Sequence, residues 1–177
     1  MQYLGKKMHK YKFCPVCGGS LEKKKVENFD RLVCRDCSYI FYQNSKPCVG
    51  VLIESNGALM LVKRAEEPRK GWWDVPGGFL EDGEHPEAGA RRELKEETGL
   101  DVEPMQFLGI YMDSYGCCDY YILCIYYMGR IIGGKPSPGS DVAEIGWFTP
   151  DRIPDKIAFK NCREAIDDWI SKKIKYE

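Results

Sequence analysis

The stretch "GGFLEDGEHPEAGARRELKEETGL", Gly77 to Leu100, crowds glutamates between a glycine pair at one end and Gly99 at the other. Pro86 suits the first turn of a helix and Gly99 the position just past its end, so a helix is predicted between them. At ~100° per residue, Glu96 lies at about −60° and Glu97 at about +40° from Glu93, so the three carboxylates leave one face within about 100°. Like charges so spaced repel by about a few tenths of a kcal/mol per pair unless something neutralises them. Arg91 and Arg92 offer partial relief, Arg92 standing four residues before Glu96. Ala90 and Leu94 form a neighbouring apolar stripe, so the helix can pack while presenting carboxylates to a cleft. Such a face is either solvated or built to hold a divalent cation.

Around this helix the chain reads as alternating strands. After Pro47, "CVGVLIE" is a β-branched run of strand length. "SNG" supplies a hairpin turn and "ALMLVKR" returns as a second strand. The segment "AEEPRKGWWDVPGG" reads as a loop into the helix. "MQFLGIYM", "YYILCIYYMG" and "EIGWF" follow as strands, the last two separated by a mobile-looking loop, "GGKPSPGSD". Cys162, Ile166, Trp169, Ile170 and Ile174 fall at helical spacing near the C-terminus, with lysines in the last turns. Strands interleaved with two helices imply a mixed α/β sandwich.

A chain of 177 residues holds one full domain and at most a small appendage. Its 44% hydrophobic and 30% charged residues describe a globular mixture. No run approaches the ~18 apolar residues of a membrane span, and "MQYLGKKMHKYKF" lacks the marks of a secretion signal. With nine cysteines and no export signal, a cytoplasmic location is expected. The net charge of −1 hides an asymmetry. Residues 1–47 carry ten Lys/Arg against four Asp/Glu, and the remainder sixteen against twenty-three. Two units are expected, residues 1–43 and 44–177.

The first unit contains "CPVC" and "CRDC", placing Cys14, Cys17, Cys34 and Cys37 as two knuckles sixteen residues apart. That spacing matches a closed tetrahedral Zn2+ site of ribbon type, and so short a unit needs a metal staple because it cannot bury enough core. Iron in the same sulfur cage is the alternative. With four protein ligands the metal is structural. Cys48, Cys117, Cys118, Cys124 and Cys162 lack such spacing and read as small apolar residues.

The acidic stretch carries a longer pattern: Gly78, five residues, Glu84, seven residues, Arg92-Glu93-Leu94, one residue, Glu96-Glu97, one residue, Gly99-Leu100. It resembles the Nudix box, Gly-x5-Glu-x7-Arg-Glu-U-x-Glu-Glu-x-Gly-U with U bulky and apolar, at every specified position. The resemblance extends to "WWDVPGG" before the box and "WFTPDRIPD" after it. It implies an α/β/α sandwich with a mixed sheet, preceded here by a small zinc-ribbon β unit like that of a subset of Nudix enzymes, the NADH pyrophosphatase group among them. It further implies hydrolysis of a nucleoside diphosphate derivative with Mg2+ or Mn2+, hard cations suited to an all-oxygen site. By the resemblance Glu93, Glu96 and Glu97 are metal ligands, with the Gly78 carbonyl as an addition. Arg92 orients the glutamates and Glu84 braces the loop against the helix. The general base is a box glutamate, Glu93, or an acid on a later loop: Glu144, with Asp141 behind it.

The substrate is less legible. Arg64, Trp73 and Tyr115 are candidate substrate-binding residues. The Ser-Gln-Pro-Trp-Pro-Phe-Pro run of NADH pyrophosphatases is replaced by "GIYMDSYGCCDYY". The proline of many ADP-ribose pyrophosphatases and the coenzyme A signature are missing too. An ADP-ribose-like or nucleotide-sugar diphosphate is expected, with a house-cleaning nucleoside triphosphate pyrophosphohydrolase as the alternative. The basic ribbon, with Lys23-Lys24-Lys25, also suits nucleic acid, although docking on the catalytic unit or pairing two copies as a homodimer is the plainer use.

Overall fold

The run expected as the first main strand becomes the centre of the sheet, because every residue from Cys48 to Ile53 is buried. The computed structural model describes residues 11–115 and 120–174. Cys117 and Cys118 lie outside the described residues, as does the side chain of Ile174.

The ribbon comprises β1 (Leu21–Val26), β2 (Phe29–Cys34) and β3 (Ile40–Phe41), in the order β1-β2-β3. The main unit follows with β4 (Lys46–Ser55), β5 (Ala58–Arg64), β6 (Trp73–Asp74), β7 (Gly77–Phe79) and α1 (Pro86–Thr98). It continues with β8 (Leu100–Ser114), β9 (Tyr121–Gly134), β10 (Val142–Phe148), a 3-10 turn (Pro150–Arg152) and α2 (Lys160–Ile174). The strand order is β10-β5-β4-β9-β8, with β6 added beside β5 and β7 beside β4. β9 runs parallel to β4, and the other strand pairs are antiparallel. The expected α/β class with a mixed sheet is the observed one.

The strand period of two explains the two layers around β4. Cys48 and Leu52 point to a core shared with Cys162, Ala165, Ile166 and Trp169 of α2. Val49, Val51 and Ile53 point the other way, to Ala90 and Leu94 of α1. Truncating a fully buried residue such as Leu94 to alanine costs about 2–5 kcal/mol. The hairpin between β4 and β5 turns at Asn56 (φ 50°) and Gly57 (φ 79°), the positive pair that a two-residue turn demands.

Helix α1 begins and ends as its sequence signals. His85 caps its N-terminus and accepts from the Glu87 amide, and Gly99 (φ 71°) closes its C-terminus. The loop before β10 is tied down rather than mobile. Its Ser137 and Gly139 amides donate to the carbonyls of Thr98 and Glu97 at 2.8 Å each, satisfying the helix end. The segment expected as an unstructured loop contributes β6 and β7, whose two and three residues are too short to show a period.

Candidate active site

Arg92 is the organising residue of the acidic face. Its Nε and Nη2 donate to the two oxygens of Glu84 at 2.8 Å each, a bidentate pair. Nη2 also donates to the Phe79 carbonyl at 3.1 Å, which ties the loop before the helix to the helix itself. Nη1 reaches Glu93 at 2.8 Å and Glu96 at 3.4 Å. The Arg92 hydrogen bonds hold Glu84 far below the usual carboxylate range, at about 2.

The three helix glutamates occupy different settings. Glu97 is buried and accepts from the Gly77 amide at 2.8 Å. Burial pushes its carboxyl well up, the Gly77 hydrogen bond opposes this, and Asp141, Asp74 and Glu93 add to the rise. Glu93 is also raised, by burial first, against the opposing Arg92. A Cβ at Gly78 would meet the Glu93 carboxyl, so any other residue there would displace that side chain from its present position. Glu96 is exposed and turned toward Arg92. Among the described residues, the only gathering of three or more His, Cys, Asp or Glu donors within 4.8 Å of one another is the cysteine quartet.

A cavity of about 300 Å³ opens beside this helix, with Gly78, Glu93 and Glu97 on its wall. Three further carboxylates join them: Asp141 from the tied-down loop, Asp74 from β6 and Glu81 from the loop before α1. Asp74 is pushed up to about 6 by burial, with Arg64 pulling the other way from 3.4 Å. Glu93 and Glu97, both raised by burial and by neighbouring carboxylates, are oxygen donors that a hard dication fits, since it would offset the repulsion that protons otherwise relieve.

Of the three substrate-binding candidates, the structure brings two to the cavity. Arg64 lines it, with its guanidinium over the Phe159 ring at 5.2 Å. Tyr115 lines it as well, 5.5 Å from Phe159 in a near-parallel stack and 5.4 Å from Phe79 edge-on. Trp73 does not line it, because β6 pairing turns its ring onto Phe148 at 4.7 Å. Glu144 is likewise outside the lining. It stands opposite Lys63 in the β10–β5 register, and its exposed carboxylate accepts from that lysine at 3.1 Å.

The deep end holds groups that sequence reasoning missed. Asn161, at the start of α2, is only 2% exposed and donates to the Tyr126 hydroxyl at 3.3 Å, while its Oδ1 has no hydrogen-bond partner among the described residues. A buried unsatisfied acceptor of this kind costs about 1–3 kcal/mol and invites a ligand donor. Nothing in the sequence separates Asn161 from an ordinary helix-start asparagine, or Phe159 from a core aromatic. Asp74 was within reach, since it lies in "WWDVPGG" beside the glycine turn.

The ribbon cysteines form a second, closed cluster. Their sulfurs stand 3.7 Å (Cys14–Cys37), 3.5 Å (Cys17–Cys34) and 3.4 Å (Cys17–Cys37) apart. A tetrahedral ion with Zn–S bonds of ~2.3 Å implies sulfurs about 3.8 Å apart, so the quartet fits zinc closely. No helix among the described residues is long and apolar enough to cross a membrane.

Comparison with known proteins matches the chain in two segments. A model described as the NUDIX domain matches residues 44–169, and one described as the Nudix N-terminal zinc ribbon matches residues 12–43. The chain is 33% identical over 132 residues to an ADP-ribose pyrophosphatase of Methanocaldococcus jannaschii, covering 75% of this chain and 77% of that protein. It is 30% identical over 165 residues to the NAD-capped RNA hydrolase NudC of Vibrio atlanticus, covering 89% of this chain but only 58% of that longer protein. The crystal structure of a NUDIX hydrolase from Nitrosomonas europaea aligns with a TM-score of 0.79 at 30% identity, covering 92% of each chain.

Proposed function

The chain belongs to the Nudix family of hydrolases, and on that premise we propose its substrate class and the roles of its residues. It is a nucleotide pyrophosphohydrolase, and the box implies divalent-metal catalysis. The substrate is a nucleoside diphosphate derivative of the ADP-ribose or nucleotide-sugar type, cleaved to release a nucleoside monophosphate. Residues 1–43 form the ribbon unit, held by zinc through Cys14, Cys17, Cys34 and Cys37, and residues 44–177 the hydrolase unit. The ribbon aligns the protein with the NADH pyrophosphatase-like subset in architecture, but the subset's downstream run is absent and its substrate is not assigned.

The observation that carries the reading is that one cavity joins a carboxylate wall to an aromatic, hydrogen-bonding end. At the wall, Glu93, Glu97 and the Gly78 carbonyl would hold the cations, and Glu96, exposed beside Arg92, would have to turn inward to join them. Mg2+ or Mn2+ bound there supplies charge neutralisation for the pyrophosphate and a water acidic enough to attack phosphorus. Arg92 fixes the Glu93 carboxylate, and Glu84 fixes Arg92. Asp141, already on the wall, is a better-placed base than Glu144, whose carboxylate faces Lys63; Glu93 is the other candidate. Beside them, the stacked Tyr115 and Phe159 give the cavity an aromatic border for a base, Arg64 a cation for a phosphate, and Asn161 Oδ1 an acceptor for an amine or hydroxyl.

The test is a panel of ADP-ribose, nucleotide sugars, NADH and nucleoside triphosphates, each with Mg2+ or Mn2+. Release of nucleoside monophosphate from ADP-ribose or a nucleotide sugar, lost in Asn161→Leu with kcat/KM falling more than kcat, is the expected outcome. Preferential release of inorganic pyrophosphate from a nucleoside triphosphate would replace the substrate class, and no turnover of any member would overturn the reading.

A further inference from the structure

The free cysteines of the hydrolase unit, Cys48, Cys124 and Cys162, are of two kinds. Cys162 is fully buried in the core shared with α2, where its sulfur accepts from the Val75 amide at 3.2 Å. It is not part of the cavity lining and serves as the small apolar residue that the sequence suggests. Cys48 of β4 and Cys124 of β9 are different. Both are on the cavity wall, 6% and 5% exposed, so what little surface they keep opens into the space that receives substrate.

The sheet sets these two thiols against each other. Cys48 and Cys124 are directly opposite in the parallel β4–β9 register, and both side chains leave on the α2 side of the sheet. Neighbouring strands run about 4.8 Å apart, inside the ~4.4–6.8 Å Cα separation over which a disulfide forms. The Cys124 thiol is pushed well up, first by the Cys48 thiol beside it and then by burial. Among the described residues no third His, Cys, Asp or Glu donor joins the pair within 4.8 Å, so it is not a closed metal site. Two facing thiols without a third donor are set up for oxidation to each other.

We infer that Cys48 and Cys124 form an oxidisable dithiol in the cavity wall, which a hydroperoxide converts to a disulfide that slows hydrolysis. Cys48 attacks first, since Cys124 is held as the thiol. Its sulfur takes one peroxide oxygen to become a sulfenic acid, and the leaving hydroxide combines with the thiol proton as water. Cys124 then attacks the sulfenic sulfur, the S–S bond forms and a second water leaves. Two thiols and one hydrogen peroxide thus give one disulfide and two waters. The consequence for the site follows from the same strand. A disulfide draws the two Cβ atoms to about 3.8 Å, about 1 Å closer than the strand spacing leaves them. Val49, the next residue on β4, is the register partner of Gly78, and Gly50 that of Gly77. The contraction therefore reaches the glycine pair that supplies the Glu97-binding amide and the proposed metal-binding carbonyl. Displacing such groups by about 1 Å lowers a rate by up to about 10²-fold. This effect on turnover rests on the proposed hydrolase site, whereas formation of the bond does not.

The experiment treats the zinc-loaded full chain with hydrogen peroxide, removes the peroxide and maps disulfides by mass spectrometry, alongside zinc content and turnover in excess Mg2+. A Cys48–Cys124 linked peptide should accumulate in step with a fall in kcat of about tenfold or more, with zinc retained. Dithiothreitol should restore kcat to within about twofold. Cys48→Ala and Cys124→Ala, each measured against its own untreated form, should lose about twofold or less on the same treatment. The mapping is made on the wild type and holds whether or not either variant folds. Free Cys48 and Cys124 after treatment, or a disulfide only at other cysteines, overturns the inference. So does a fall in turnover that tracks zinc release, and so does a linked peptide with unchanged turnover. Absence of turnover before any oxidation would instead overturn the hydrolase reading, with the mapped bond still deciding the dithiol.

Discussion

The two donor clusters of this chain are built on opposite principles. In the ribbon, four thiols contributed by two knuckles already stand 3.4–3.7 Å apart where their separations are closest, at tetrahedral spacing. On α1, the carboxylates are dispersed: Glu97 is buried on the Gly77 amide, Glu93 is held by Arg92, and Glu96 faces solvent. The first arrangement closes around one ion and leaves no ligand position open. The second keeps its donors apart, with Glu93 and Glu97 on the wall of an open cavity and Glu96 outside its lining. A structural site gains from being complete, whereas a working site must be left incomplete.

Removing a ligand tests that contrast most severely on the ribbon side. Cys14→Ser, or stripping with a strong chelator, should unfold residues 11–43, because the metal supplies an apparent ~10–16 kcal/mol to units of this kind. Limited proteolysis should then cut within the ribbon and spare the hydrolase unit. A metal-free ribbon that resisted proteolysis would show that the quartet is not what holds it. On the helix side the same operation should cost activity and not fold. Glu97→Gln is expected to lower kcat by about 10²-fold or more while melting at or above the wild-type temperature, since it removes a buried charge. Unchanged turnover would break the assignment of Glu97 as a ligand.

Smaller effects sharpen the picture within the open site. Asp141→Asn should reduce kcat about 10–100-fold and Glu144→Gln by about twofold or less, as steady-state rates in excess Mg2+ would report. The reverse order would move the base to Glu144. The pH dependence of stability separates Asp74 from Glu84. Asp74 has a raised pKa, so its contribution is fully present below about 4 and is lost as pH rises through about 6. Glu84 has a lowered pKa, so its contribution is present above about 4.5 and is lost as pH falls toward about 2. Urea unfolding of metal-free Asp74→Asn should therefore gain on wild type between pH 4 and pH 7, on the order of 1–2 kcal/mol. A constant difference across that range would mean that Asp74 is not desolvated.

How much was legible in the sequence varied with the range of the interaction. The hairpin at Asn56-Gly57, helix α1 with its Pro86 start and Gly99 stop, the strand over Cys48 to Glu54 and the amphipathic α2 were all readable, because their signals lie within a few residues. The strands β6 and β7 were not, since each is held by pairing with a distant strand rather than by its own pattern. Trp73 looked like a ring for a substrate and is instead a packing residue on Phe148, as β6 dictates. The loop before β10 looked mobile from its glycines and prolines, yet its amides are needed by the carbonyls that end α1.

The sequence by itself determined the register of the box glutamates and the pairing of the cysteines into knuckles, because helix and knuckle geometry depend only on neighbours along the chain. It also carried the family. Only the tertiary structure decided which acids and polar groups share the cavity. Asp74, Asp141 and Asn161 come from β6, a loop and α2, and meet because the two cores pack α1 and α2 on opposite faces of β4. It likewise decided that Lys23, Lys24 and Lys25 are neutralised within their hairpin while Arg31 makes no ion pair among the described residues. Spacing encodes what a helix turn or a knuckle brings together, whereas a sheet brings together residues whose separation along the chain carries no signal.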